Sequence, residues 1–190
     1  MAIDLTLTLV PPQVDRLIDK AWERRGTEYA DLLFFLPAVL LGEYKDFGDP
    51  TWQAFAADAG AMISHYPQHR FLPQYHLPLS RVFWGLDHLL SGGAGTFFRD
   101  GHVYDYICGG QGHPYILWDH DRVTQKQNQL EAWSPTNLLG ALDPLRMERE
   151  VPKFHDTEQY RQQLVTALLA VKQLLATARQ EGLWVAVQYT

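Results

Sequence analysis

The sequence predicts an α/β fold of the mixed α+β kind, with helices packed around a small mixed β-sheet that contains the N- and C-terminal strands. Residues 3–10 alternate apolar and polar side chains, which is typical of a strand with one wetter face. Near the other end, an amphipathic helix over 157–181 is followed by the apolar strand 183–189, which we expect to be covered on both faces. We therefore predict one domain over residues 1–190.

The terminal helix has the most regular pattern in the chain. Its apolar stripe consists of Tyr160, Leu164, Leu168, Val171, Leu175 and Ala178, spaced three or four residues apart. Asp156 and Gln159 have the spacing of a capping box, so we expect the helix to begin there. Gly182 follows the stripe, where a left-handed residue commonly ends a helix.

Between the two ends the sequence predicts mainly helices. Residues 29–41 form either a buried helix or two half-helices interrupted at Pro37, and a further helix begins at Pro50. Residues 67–78 contain three prolines and indicate an irregular connection, which a helix over 79–90 follows.

The second half of the chain contains weaker signals. Residues 102–108 and 115–118 are expected to form short strands. A helix is expected over 123–133, but its signal is weak because residues 125–129 are all polar and interrupt the apolar stripe. Ser134 is expected to cap a short helix that follows.

Composition excludes several classes of function. The net charge of −6 argues against nucleic-acid binding, which depends on Lys and Arg. No apolar run approaches the roughly 20 residues of a membrane span, and the first four residues lack the features of a secretion signal, so we expect a cytoplasmic protein. With Cys108 as the single cysteine, we expect no internal disulfide and no multi-cysteine metal site.

No motif predicts a catalytic centre, a metal or a cofactor. The glycine-rich segments 92–95 and 109–112 lack the strand–loop–helix context of a phosphate-binding loop, so we interpret them as chain reversals. The run 119–121 is interpreted as a polar turn with Asp121 as a helix cap rather than as a metal site. Cys108 has no visibly oriented histidine partner and is predicted not to be a nucleophile.

Two polar–aromatic segments, 75–88 and 97–106, are the best candidates for a binding surface or pocket. Their candidate binding residues are Tyr75, His76, Trp84, Asp87, His88, Phe98, Arg99, Asp100, His102 and Tyr104. On the helix between them, Trp84, Asp87 and His88 are spaced to share one face.

The order of segments resembles the YfbM-like family, a bacterial domain of unknown function. The resemblance is carried by segments 142–147 and 151–152 before the last helix, by 85–92, and by the Pro-x-x-Val-Asp-x-Leu-Ile start at 11–18. Two positions depart from the family pattern: Ser80-Arg81 stands for Asp-Lys, and Leu86-Asp87 stands for Leu-His, with the histidine displaced to His88. The resemblance implies a mixed α/β architecture and no established activity.

Two function hypotheses remain open. The first is a protein-binding module with a basic protein partner, such as an immunity or inhibitor protein for a toxin, because the chain is acidic and bears aromatic segments. The second is a small-molecule hydrolase or transferase that uses the His-bearing glycine-rich region 92–120, with His102, His113, Asp119 and His120 as acid–base groups. Neither hypothesis requires a cofactor, and nothing in the sequence indicates an oligomeric state.

Overall fold

A computed structural model describes residues 4–43, 48–108 and 114–189, without the side chain of Cys108. Its strands are β1 (Leu5–Val10), β2 (His76–Leu79), β3 (His102–Cys108), β4 (Pro114–Trp118) and β5 (Trp184–Tyr189). They form one sheet in the order β2-β1-β5-β4-β3. The predicted mixed α+β class is therefore confirmed, with the N- and C-terminal strands in the same sheet.

The described strand pairs are all antiparallel, whereas the sequence predicts a mixed sheet. A short connection between β3 and β4 allows only antiparallel pairing. Strand β5 lies at the centre, with Val187 opposite Leu7 on one side and Ile116 on the other. The consecutive residues from Val185 to Tyr189 are all buried, and since successive side chains point to opposite faces, the last strand is covered on both faces as predicted.

The helices of the described ranges surround this sheet. They are α1 (Val14–Glu23), α2 (Glu28–Asp31), α3 (Leu36–Leu40), α4 (Pro50–Ile63), α5 (Val82–Leu90), α6 (His120–Glu131), α7 (Pro135–Gly140), α8 (Pro144–Glu150) and α9 (Glu158–Glu181). A 3-10 turn over Leu32–Phe35 precedes α3, so residues 29–41 form short helical pieces interrupted near Pro37. This outcome matches the second of the two alternatives that the sequence left open.

Helices lie on both faces of the sheet. Side chains alternate between faces along a strand, so Gln188 and Tyr189 point in opposite directions. Gln188 Nε2 donates to Leu33 O at 3.1 Å, which places the α1–α4 helices on one face. The Tyr189 ring packs edge-on against Phe83 at 5.8 Å between centroids, which places α5 on the other face, where it also contacts α9.

Helix α9 has the predicted apolar stripe and the predicted ending. The stripe from Leu164 to Ala178 is buried, and Gly182 adopts the left-handed conformation with φ of 67°. Its beginning differs from the prediction, because Thr157 is the cap and accepts from Tyr160 N at 3.1 Å. Asp156 instead accepts two hydrogen bonds from the Arg161 guanidinium, each 2.8 Å long, and this ion pair takes the carboxylate away from the helix end.

Two further local predictions are wrong. Strand β2 begins at His76, inside the stretch predicted to be an irregular connection, and Pro78 is tolerated because β2 is an edge strand that pairs only with β1. Helix α6 is capped by Asp119, which accepts from Arg122 N at 2.9 Å, rather than by Asp121. Asp121 lies in the first turn of α6, where its negative charge faces the positive end of the helix dipole.

Candidate functional site

The predicted binding residues do not form one site. The structure brings together Asp87, Phe98, Arg99 and Asp100 at one place, brings His102 and Tyr104 to another, and leaves Tyr75, His76, Trp84 and His88 apart from both. The side chains of segments 75–88 and 97–106 therefore lie in several different parts of the fold. The cluster around Asp100 and the group around Tyr104 differ in burial and in charge.

Tyr75 is a core residue. It is almost fully buried, its hydroxyl donates to Glu181 Oε2 at 2.5 Å, and its ring stacks on Tyr66 at 5.6 Å between centroids. Burial and the hydrogen bond to Glu181 raise the pKa of the Tyr75 hydroxyl to about 12. Tyr75 is therefore part of the core and does not lie on an exposed surface.

His76 lies half-buried at the start of β2. Its Nδ1 is 3.1 Å from Thr8 Oγ1 on the neighbouring strand, and burial lowers its pKa below the ordinary value. The neutral ring is therefore favoured in the folded protein. Its contribution to stability is present above the unfolded pKa of about 6.5, and it is lost as the pH falls from there through the folded pKa.

We expect His76→Asn to reduce the acid sensitivity of the fold. Between about pH 7.5 and pH 5, the wild type should lose more of its free energy of unfolding than the variant does, because only the wild type must protonate this half-buried ring. Urea unfolding at several pH values measures both slopes. His155→Asn is the control, since His155 is exposed. Equal slopes in wild type and His76→Asn would show that His76 does not carry this effect.

Trp84, Asp87 and His88 do not form an exposed helix face. Trp84 is half-buried and packs against Phe83 at 4.6 Å between centroids. His88 is buried, with Nε2 at 3.7 Å from Glu150 Oε2 on α8. Asp87 is 2% exposed because the chain that follows α5 folds back over it.

Asp87 holds that returning chain in place. Its Oδ1 accepts from Phe98 N at 3.2 Å, and the Phe98 ring stacks against Trp118 of β4. Burial raises the pKa of the Asp87 carboxyl, while the backbone amides of Phe97 and Phe98 and the charges of Arg99 and Lys126 act in the opposite direction. Asp87 and Phe98 therefore have structural contacts that position Arg99 and Asp100.

A buried lysine lies at the centre of this cluster. Lys126 of α6 is 1% exposed, and its ammonium donates to Phe97 O at 2.6 Å and to Asp100 Oδ2 at 3.1 Å. The Nζ atom also lies 4.3 Å from the centre of the Phe97 ring. Burial lowers the pKa of Lys126, and Asp100 opposes this by favouring the charged form. Asp100 is shared, since it also accepts from Arg122 Nη1 at 3.0 Å.

A pocket of about 630 Å³ opens beside Lys126. Its lining combines charged side chains with an apolar and aromatic wall. These lining residues include Arg99, Asp100 and Lys126 on the charged side and Leu90, Phe97 and Trp133 on the wall. This volume lies within the roughly 300–1,000 Å³ that small-molecule pockets occupy. The arrangement can hold a small polar ligand with a flat apolar part.

A second group of residues lies on the opposite face of the sheet, along edge strand β3. The α1–β3 surface, as we name it, consists of Asp15, Asp19, Trp22, Tyr104, Asp105 and Tyr106. Trp22 is 50% exposed and its ring meets the Tyr106 ring edge-on at 4.9 Å between centroids. The Tyr106 hydroxyl donates to Ile18 O at 3.3 Å, which fixes the aromatic pair against α1.

The α1–β3 surface is acidic. Burial raises the pKa of the Tyr104 hydroxyl, and the carboxylates of Asp19, Asp119 and Asp15 raise it further. Burial likewise raises the pKa of Tyr106 to about 12, with added effects of Tyr104, Asp19 and Asp105. Carboxylates from α1, from β3 and from the start of α6 thus converge around two tyrosines.

His102 and Asp119 form an exposed pair beside this surface. His102 Nε2 is 2.9 Å from Asp119 Oδ2, and the histidine side chain is 59% exposed. Partial burial acts to raise the pKa of Asp119, but the Arg122 amide and His102 together lower it below the ordinary range. The enzyme hypothesis named both residues. His113 lies outside the described residues, so that hypothesis stays a prediction.

Sequence reasoning missed the residues that organise both places. Lys126 is spaced three and four residues from the buried Val123 and Leu130, so its position on the apolar stripe of α6 was the available signal. Asp15, Asp19 and Trp22 are spaced four and three residues apart, which puts them on one face of α1. This spacing aligns Lys126 with the buried residues of α6 and the two aspartates with Trp22, but it does not identify the distant groups that they contact.

Within the described ranges, no cluster of three or more His, Cys, Asp or Glu side chains is arranged to hold a metal ion. No helix there is both long and apolar enough to cross a membrane. Comparisons with protein-family models, curated proteins and solved structures found no match. The resemblance to the YfbM-like family therefore stays a prediction.

Proposed function

We propose that this protein is a binding module that recognises a basic protein through its α1–β3 surface, as an inhibitor or immunity protein does with a toxin in the cytoplasm. The single observation that carries the proposal is the convergence of carboxylates around the aromatic pair of exposed Trp22 and half-buried Tyr106. Aromatic side chains of this kind anchor interfaces, while surrounding charges select the partner and speed its approach.

The location of this surface supports the same conclusion. Strand β3 is at the edge of the sheet, so a partner can approach the strand from the side. Trp22 is held by Tyr106 on one side, and the Arg25 guanidinium lies 4.3 Å from the centre of its ring. A pre-positioned aromatic side chain loses little conformational freedom on binding, which favours its use as an anchor.

The test is capture of a basic partner by the immobilised protein from its native host, followed by titration of the purified partner. We expect the double variant Trp22→Ala with Asp19→Asn to bind the partner about 30-fold more weakly, since an aromatic anchor contributes about 2 kcal/mol or more. The association rate of the wild type should fall as salt increases, because the steering charges are exposed.

The matched control is Leu145→Ala with Glu148→Gln. It also removes one exposed apolar side chain and one exposed carboxylate, but on α8. This control should bind the partner as the wild type does. The proposal is wrong if no basic protein is captured, or if the α1–β3 variant and the α8 control bind a captured partner equally well.

A further inference from the structure

The pocket beside Lys126 lies on the face of the sheet that α5 and α6 cover, away from the α1–β3 surface. We propose that it binds a small organic monocarboxylate with a flat apolar body. This site is independent of the proposed protein partner.

The charge of the lining suits one negative group. Arg99 and Lys126 are positive and Asp100 is negative, which leaves one net positive charge in a protein whose net charge is −6. Directly behind these residues, Arg122 pairs with Asp100, and buried Asp87 faces Arg99 and Lys126. The positive charge of Arg122 and the negative charge of Asp87 cancel, so the net charge around the pocket stays at one positive charge. A monoanion is thus compensated, whereas a dianion would place a second negative charge close to Asp100 and Asp87.

The donors for a carboxylate lie at the rim of the pocket, above a buried positive charge. Lys126 is 1% exposed and donates to Phe97 O and Asp100 Oδ2, so it contributes its charge from the base of the pocket. Arg99 is exposed, and its Cζ lies 5.6 Å from the centre of the Tyr189 ring. Its guanidinium has a fork of donors that matches a carboxylate in two parallel hydrogen bonds.

The apolar and aromatic side chains of the pocket lining can pack against the flat apolar body of the ligand. Leu90, Phe97 and Trp133 contribute apolar and aromatic side chains to the lining of the pocket. Phe97 is held in place by its edge-on contacts with Phe98 and Trp118. A flat aromatic ring can stack on such side chains while its carboxylate reaches the cationic side. Benzoate is the simplest molecule with both features.

The first experiment is an NMR titration of the full chain with benzoate, with benzamide, and with inorganic phosphate. We expect saturable shifts from benzoate in the indole N–H of Trp133 and in the amides of residues 96–100, with a dissociation constant of about 1 mM or lower. Benzamide has the same shape without the charge, and it should bind at least about tenfold more weakly. Phosphate should cause no saturable shift in these signals.

The second experiment uses variants. Arg99→Gln should weaken benzoate binding at least about tenfold, whereas Arg149→Gln, which changes an exposed arginine of α8, should leave it unchanged. Thermal melting of each variant checks that the fold is retained. Trp22→Ala, which changes the α1–β3 surface, should still bind benzoate because the two sites are independent. The proposal is overturned if benzoate does not saturate these signals, if benzamide or phosphate binds as well, or if Arg99→Gln binds benzoate normally.

Discussion

A chain that lacks residues 183–190 is expected to lose cooperative unfolding. Strand β5 is the only described link between β1 and β4, so its removal divides the five-stranded sheet into two two-stranded parts. Two-stranded ribbons are at best marginally stable in water. The deletion also leaves the apolar faces of Leu7 and Ile116 without Val187 between them and exposes two new strand edges.

The near-ultraviolet circular dichroism of the truncated chain should lack the signal of fixed aromatic side chains, and the chain should bind a hydrophobic dye or aggregate. Deletion of Thr190 alone is the control, because it removes none of the described strand pairs. A truncated chain that remains soluble and melts in a single cooperative transition would contradict the central role of β5.

The terminal elements could be predicted because their signals are long and local. The stripe of α9 repeats over about five turns, and the position of Gly182 marks the end of the helix. Strand β5 is apolar at nearly every position, which only a central strand covered on both faces requires. These signals also predicted that both terminal strands share a sheet, and this is correct.

Other elements depend on contacts that no local pattern contains. Strand β2 has four residues and includes Pro78, so its strand signal is weak, and pairing with β1 alone decides its conformation. The start of α6 depended on which of two nearby aspartates is its cap, and Asp119 is, since it accepts from Arg122 N. Sequence spacing did not distinguish Asp119 from Asp121, since both precede Val123 in a polar turn.

The candidate sites were only partly predictable for the same reason. Segment 97–106 was correctly identified as rich in polar and aromatic residues, but alternation along β3 and the turn before it divide the segment between two faces of the sheet. Lys126 was overlooked because residues 125–129 are all polar, which indicated only a weak helix. The ammonium is buried because Phe97 O and Asp100, more than 25 residues away in sequence, solvate it.

Gly101 lies at the turn that directs Asp100 into one site and His102 into the other, and it is packed directly against β4. A Cβ atom at Gly101 would lie 2.6 Å from Trp118 Cδ1, 2.8 Å from Ile116 Cγ2 and 2.9 Å from Leu117 O. Each of these distances is shorter than van der Waals contact allows. One of the three atoms belongs to the backbone, so the overlap requires β3 and β4 to separate.

Gly101→Ala is therefore expected to lower the free energy of unfolding by about 3 kcal/mol or more, and the midpoint of thermal unfolding by roughly 6–12 °C. Urea unfolding and calorimetry measure both quantities. Gly60→Ala is the matched control, since Gly60 lies within α4 with no atom within 4 Å of an added Cβ. There the same substitution should raise stability by about 0.5–1 kcal/mol, because alanine is the better helix former. If Gly101→Ala is as stable as the wild type, the close packing of this turn on β4 is wrong, and with it the basis for dividing segment 97–106 between two sites.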